Sequence, residues 1–168
     1  MVVSRIANKD TFAVSTPSDT EIRMTRVFDA PRTLVFEVMS KPEHVRQWWG
    51  NLGEGYSVPV CEIDFRVGGT WRFVNRHPKG DAVFYGEYRE IVPPSRVVFT
   101  EIYEPFPDAV SVVTSELTEE NGKTRMTATV LYPSLQIRDM VLSTGMDKGA
   151  AISYDMLEAL LGRLQTAK

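Results

Sequence analysis

Between Val58 and Tyr132 the chain runs through six stretches of alternating apolar and polar residues divided by five turns. No other feature restricts the fold as much. Strands are predicted near 58–66, 69–76, 82–91, 96–104, 110–119 and 123–132, because a two-residue period presents one apolar face to a core. The separators are Gly68-Gly69, Pro78-Lys79-Gly80-Asp81, Pro93-Pro94, a loop holding Pro105 and Pro107, and Asn121-Gly122. Asn-Gly between two alternating runs is the strongest short hairpin signal. Connections this short join antiparallel neighbours and leave no room for crossover helices. The pattern therefore specifies a meander and excludes βαβ units.

Upstream, Glu21–Phe28 alternates Ile22, Met24, Arg26 and Phe28 against Glu21, Arg23, Thr25 and Val27, a half-buried strand. A helix follows, with Asp29 placed to cap it and Pro31 tolerated in its first turn. Leu34, Val35, Val38 and Met39 form its apolar face. Ser40-Lys41-Pro42-Glu43 reads as a capping box that opens a second short helix, with Val45, Trp48 and Trp49 apolar and Gly50 at its end. After Pro133 comes a last helical region, from about 146 to 164 and roughly 28 Å long. Ala150, Tyr154, Leu157, Leu160, Leu161 and Leu164 mark its buried side. Residues 1–20 read as an N-terminal arm. In it Val2–Ala7 and Thr11–Val14 are either short edge strands or a frayed segment, and Ser15–Asp19 is a turn. Residues 21–168 read as one domain.

These elements impose a geometry. Seven strands spaced about 4.8 Å apart span roughly 30 Å, whereas one helix with its side chains is only about 10–12 Å wide. A flat sheet of that width would stay uncovered. The sheet must curl around the long helix, with the two short helices closing one side. The space so enclosed is either filled by large side chains or left as a pocket. Trp71, Phe73, Phe84, Tyr85, Phe99 and Tyr103 are bulky enough for either role.

Composition narrows the function classes. A chain of 168 residues buries roughly 68–70% of its unfolded surface and needs no metal or disulfide for a core. Cys61 is the single cysteine, so neither an internal disulfide nor a Cys-cluster metal site can form. Two histidines, His44 and His77, offer little for a metal centre or proton relay, and both are expected to be exposed. The net charge of −3 argues against a duplex nucleic-acid binder. The N-terminus shows no signal-peptide pattern, and no run of about 18 apolar residues occurs, so a cytoplasmic location without a membrane span is expected.

Five motifs in order then point to a family: Phe28-Asp29-Ala30-Pro31-Arg32 with Val35-Phe36; Trp48-Trp49-Gly50; Val67-Gly68-Gly69-Thr70-Trp71-Arg72-Phe73; the run from Gly86 to Thr100; and Gly145-Met146 with Gly149. Together, over about residues 21–164, they resemble the family related to the C-terminal domain of the heat-shock-protein-90 ATPase activator. This family lies within the START-like (SRPBCC) helix-grip superfamily, which also holds birch-pollen-allergen-like proteins and polyketide cyclases. The resemblance implies an α+β helix-grip fold, with a curved antiparallel sheet around a long C-terminal helix. It leaves function open, because the fold hosts binding, transport, regulation and catalysis. Many relatives carry a tryptophan where this chain has Ala150, and the smaller side chain would enlarge a pocket unless neighbours fill the gap.

The cavity candidates are Trp48, Trp49, Trp71, Phe73, Phe99, Met146, Ala150, Tyr154 and Leu157, with Arg72, Tyr85, Glu87, Glu101, Tyr103 and Thr114 as polar groups able to face inward. Of Trp48 and Trp49, either both cover a pocket mouth or one plugs the core while the other stays half exposed. Alternation puts Glu101 and Tyr103 on the face of Phe99, and Glu87 on that of Tyr85 and Ile91, although a bulge would exchange faces. A carboxylate on an apolar face is costly unless paired, which makes an inward Glu87 or Glu101 a functional candidate. Arg72 is the plausible inward cation, or else part of a surface ladder with Arg66, Arg89, Glu62 and Glu87. Gly68-Gly69 lacks the strand-loop-helix setting of a phosphate loop and reads as a hairpin turn. No Ser/His/Asp or Cys/His arrangement is recognisable, and Cys61 reads as a small buried hydrophobe.

Three function classes follow. The first is a module that binds a hydrophobic small molecule, lipid- or polyketide-like, between sheet and helix. The second is a chaperone-regulating interaction protein, and the third a cyclase- or hydrolase-like enzyme using an inward carboxylate or tyrosine. No metal, nucleotide or other cofactor is implied, and a homodimer stays open.

Overall fold

The Asn121-Gly122 hairpin shows how directly the local sequence shapes the sheet. In the computed structural model, which describes residues 11–167, Asn121 and Gly122 both take positive φ angles, 54° and 76°. This two-residue turn of the primed type matches the twist of its flanking strands. It puts Glu120 opposite Lys123 and fixes the register of β7 (Ser111–Glu120) against β8 (Lys123–Leu131).

The remaining strands are β1 (Ala13–Ser15), β2 (Glu21–Phe28), β3 (Ser57–Ile63), β4 (Thr70–His77), β5 (Gly80–Val92) and β6 (Arg96–Tyr103). All pair antiparallel in the order β1-β2-β8-β7-β6-β5-β4-β3. The meander from β3 to β8 is the one expected, and β2 returns to lie beside β8. An eighth strand comes from the N-terminal arm, where Ala13–Ser15 pairs with β2. The expected strand Val2–Ala7 lies outside the described residues.

Among the described residues four helices complete the fold: α1 (Arg32–Val38), α2 (Pro42–Val45), α3 (Leu135–Ser143) and α4 (Met146–Thr166). Two expected caps are not made. Pro31, not Asp29, occupies the N-cap of α1, and Ser40 does not cap α2. The Ser40 hydroxyl instead donates back to the carbonyls of Phe36 and Glu37, while Lys41 takes the cap position. The region after Pro133 is two helices instead of one. Ser134 caps α3 by accepting from the Ile137 amide at 3.2 Å, and Gly145, at φ 80°, turns the chain into α4.

Helix α4 is about 31 Å long by its rise per residue, and the sheet wraps it as the width argument requires. The two halves of α4 are treated differently. Tyr154, Leu157, Leu160 and Leu161 bury against Phe28, Val35, Val38, Leu117 and Met126, forming a closed core at one end. A second cluster, with Trp71, Phe73 and Tyr88 at its centre, lies on the β3–β6 wing. A third joins Ile22, Val113, Val130 and Tyr132. The architecture is the α+β helix-grip. Among the described residues no helix is long and apolar enough to cross a membrane.

Candidate functional site

Trp49, Phe99 and Met146 each pack against two of the three clusters, and among them lies a cavity of about 370 Å³. Its walls follow the periodicities of the elements that supply them. From α4 come Met146, Gly149, Ala150, Ser153 and Tyr154, spaced three and four residues apart on one helical face. From the strands come alternate residues: Trp71, Phe73, Asn75 and His77 of β4; Val97, Phe99 and Glu101 of β6; Val113, Ser115 and Leu117 of β7. The segment from α2 to β3 closes the remaining side with Trp48, Trp49 and Gly50.

The indoles of Trp48 and Trp71 act as apolar wall because their N–H groups are engaged with backbone. Trp48 Nε1 donates to the Val38 carbonyl at 3.0 Å, and Trp71 Nε1 to the Thr100 carbonyl at 3.1 Å. Trp71 reaches that carbonyl because the residue across from it is Gly86, where a Cβ would overlap the Thr100 oxygen. Trp49 sits edge-on to Phe73 and Phe84, with ring centroids 5.0 and 5.1 Å away. Two side chains pin its segment: Asn75 Nδ2 donates to the Trp49 carbonyl at 3.0 Å, and Ser153 Oγ accepts from the Gly50 amide at 3.1 Å. Trp48 is buried and Trp49 half-buried, and both line the cavity.

Among the described residues Glu101 is the one acidic residue in the cavity lining. No hydrogen bond or ion pair reaches its carboxylate from the described residues. Enclosure by protein raises its pKa from 4.5 to about 7, with burial as the cause. The surface it keeps faces the cavity. Two phenols stand close enough to feel its charge: burial first, and the Glu101 charge second, push Tyr132 and Tyr154 above the ordinary tyrosine range. A carboxyl group titrating near neutrality inside an apolar cavity can accept or donate a proton, or serve as a counter-ion.

The sequence candidates divide by position. Trp48, Trp49, Trp71, Phe73, Phe99, Glu101, Met146, Ala150 and Tyr154 come together around the cavity. Leu157 is fully buried in the closed core beyond it. Arg72, alternating with Trp71 and Phe73, points outward and pairs with Glu104 at 3.3 Å. Tyr85 and Glu87 lie on the outer face of β5, because Phe84, Gly86 and Tyr88 occupy the inner phase. A bulge between Tyr88 and Glu90 then returns Ile91 to the inner side, so Ile91 does not share the face of Glu87. Thr114 alternates outward from Val113 and Ser115. Tyr103 has the phase of Phe99 and Glu101 but lies past the end of the cavity, exposed and stacked on Phe84 at 5.1 Å.

Both histidines are more enclosed than expected. His77 lines the cavity with its ring 6.2 Å from that of Tyr56, and His44 is half-buried with Nδ1 unpartnered. Cys61 is buried, and desolvation pushes its thiol up to about 11. Sequence reasoning missed Tyr132, although it continues the alternate phase of Ala128 and Val130. It also missed Arg26, whose place among Ile22, Met24 and Phe28 was visible. This guanidinium is buried, meets Asp155 of α4 at 2.7 Å and lies 5.4 Å from the Phe28 ring centre. Among the described residues no group of three or more His, Cys, Asp or Glu side chains is placed to hold a metal ion.

A curved antiparallel sheet gripping one long helix, with an aromatic-walled cavity beside that helix, defines the helix-grip class. The chain belongs to the family described as activator of Hsp90 ATPase homolog 1-like protein, whose model matches residues 29–162. Membership supports a ligand-binding or regulatory role in general terms. A crystal structure of a Rhodobacter sphaeroides protein shares the fold with a TM-score of 0.83 and 23% identity, covering 90% of this chain and 99% of that one. Protein Ms6760 from Mycobacterium smegmatis superposes with a TM-score of 0.79 at 27% identity, over 89% of this chain and 95% of its own. Protein NE0264 from Nitrosomonas europaea gives 0.77 at 22% identity, over 90% and 99%. No curated protein matches the chain.

Proposed function

We propose that this protein binds a hydrophobic small molecule in the cavity between α4 and the sheet. The observation that carries this reading is the volume of about 370 Å³ left among aromatic side chains that elsewhere pack ring to ring. Protein interiors are close-packed, and empty apolar volume is destabilising at about 24 cal/mol per Å³. A void of this size is too large to be a packing residue and lies within the range of small-molecule sites. Ala150 and Gly149 keep the helix side of it open.

Ala150→Trp tests the reading, since the indole would occupy the cavity. The wild-type protein is expected to bind an apolar fluorescent probe, and to yield hydrophobic ligand on solvent extraction after purification. The variant, with its circular dichroism spectrum retained, is expected to lose both. Equal probe binding by the two proteins would overturn the proposal. The family's name also points to chaperone regulation; stimulation of a chaperone ATPase by Ala150→Trp equal to that by wild type would assign that role to the surface instead of the cavity.

A further inference from the structure

Among the described residues the Glu101 carboxylate lines the cavity without a partner, as do Asn75 Oδ1 and Ser115 Oγ, and of these three only Glu101 can carry a charge. Glu101 faces the void without an ion pair, and the arginines nearby are paired with other carboxylates. Arg96, on the same strand, also borders the cavity, but its guanidinium is paired with Glu90 and Glu116 at 3.2 and 3.4 Å. Arg26 of β2 is turned to Asp155 of α4 at 2.7 Å. His77 of β4 packs near Tyr56. The other titratable groups around the void are phenols: Tyr56 before β3, Tyr88 of β5, Tyr132 after β8 and Tyr154 of α4, while β7 contributes Ser115. Tyr103, further along β6, lies outside.

This arrangement discriminates among ligand head groups. An anion would meet the like charge of Glu101 in a low-dielectric space, where repulsion is strong. A neutral apolar ligand would leave the carboxylate desolvated and unpaired, which is costly. A protonated nitrogen satisfies the carboxylate, and the surrounding rings favour it, because aromatic faces attract cations. Resting on the cavity reading, we propose that the ligand is a hydrophobic amine, an apolar body carrying one ammonium that pairs with the Glu101 carboxylate. The neutral range of Glu101 titration makes the pairing pH-dependent: it weakens as the carboxylate is protonated below about 7.

The test uses three probes with the same ring system, naphthylmethylamine, naphthylmethanol and naphthoate, titrated calorimetrically into the full chain at about pH 8 and about pH 5.5, on either side of the Glu101 titration. At the higher pH the amine is expected to bind about ten- to hundredfold more tightly than the alcohol, the range of a charge-assisted hydrogen bond, and naphthoate most weakly. At the lower pH this preference shrinks. Glu101→Gln, with Glu101→Met as a second variant, brings the amine to the affinity of the alcohol measured in the same variant. If the alcohol binds and Ala150→Trp abolishes it, but the amine has no advantage or keeps it in both Glu101 variants, the amine assignment is wrong and the cavity reading stands. Alcohol binding that strengthens at the lower pH and exceeds that of the amine would mark Glu101 as a proton donor to a neutral ligand, which also overturns the assignment. If none of the three binds, the cavity reading fails, and the amine assignment with it.

Discussion

Replacing Glu101 by glutamine should stabilise the protein above neutral pH and leave it nearly unchanged at about pH 4. Burial raises the carboxyl from 4.5 to about 7, so the folded state holds this proton more tightly than the unfolded chain. For a raised acid the sign is fixed: native stability is greatest below the unfolded value, falls as pH rises from 4.5 through about 7, and then levels off. At about 1.4 kcal/mol per pH unit, the full shift corresponds to a loss of about 3 kcal/mol at high pH. This figure is a ceiling, because water admitted to the cavity would solvate the carboxylate. Glutamine keeps the shape and removes the ionisation, so the variant should gain up to about 3 kcal/mol over wild type at pH near 8. For a chain of this length that equals a rise in Tm of about 6–12 °C. The assay is thermal and urea unfolding of both proteins at intervals between about pH 4 and 8.5. The difference between the two profiles cancels groups that both share, including His44 and His77. Parallel profiles across the range would refute the argument, since Glu101 would then be solvated or paired in the folded state.

Four further outcomes are expected. Asp155→Ala should cost about 2–4 kcal/mol in urea unfolding because it strands the buried Arg26; Arg26→Met should cost less, since the Asp155 it leaves is 54% exposed and stays hydrated. Gly86→Ala should destabilise by about 3 kcal/mol, because the added methyl overlaps the carbonyl that accepts from Trp71; a Tm close to wild type would contradict this. Gly149→Ala should stabilise by about 0.5–1 kcal/mol, as a Cβ there meets no neighbour within 4 Å and α4 loses an interior glycine. Cys61, buried with its thiol raised to about 11, should react with a thiol reagent at about pH 8 on the order of a hundredfold more slowly in the folded protein than in urea.

Much of the architecture was legible because strand faces and hairpin turns are local properties. Asn121-Gly122 gave the β7–β8 register, and period two gave the inward phase of Glu101 through Phe99. What escaped was of two kinds. The first is depth along a strand: alternation gives Tyr103 the same face as Glu101, but the cavity ends before it. The second is local irregularity. On β5 the inner phase passes through Gly86, which presents no side chain of its own, so Tyr85 and Glu87 look like the functional face. Gly86 opposite Trp71 was the signal for the other phase, since a strand glycine marks a close approach. The bulge after Tyr88 then shifts Ile91, and nothing in residues 88–91 announces it. Arg26 had the apolar phase in plain view, but Asp155, its partner, lies 129 positions away.

Helix α4 explains how the fold can keep an unfavourable group at its centre. Its C-terminal half carries Leu157, Leu160 and Leu161, buried at 0%, 3% and 1% exposure, and these anchor the helix against β2, β8 and α1. Its N-terminal half presents Gly149, Ala150 and Ser153 to the cavity, residues too small to fill it. Stability and opening are thus placed on successive turns of one helix, joined at Tyr154, which packs on Phe28 and Trp48 and feels the charge of Glu101. The sheet cannot collapse into the void by itself, because its aromatic rings brace one another: Trp71 against Phe73 at 4.7 Å and Trp49 against Phe84 at 5.1 Å. A ligand that paired with Glu101 would therefore remove a charge penalty and fill empty volume in one step. Its binding should stabilise the folded state through mass action and, because it offsets the Glu101 penalty, more strongly above neutral pH than below it.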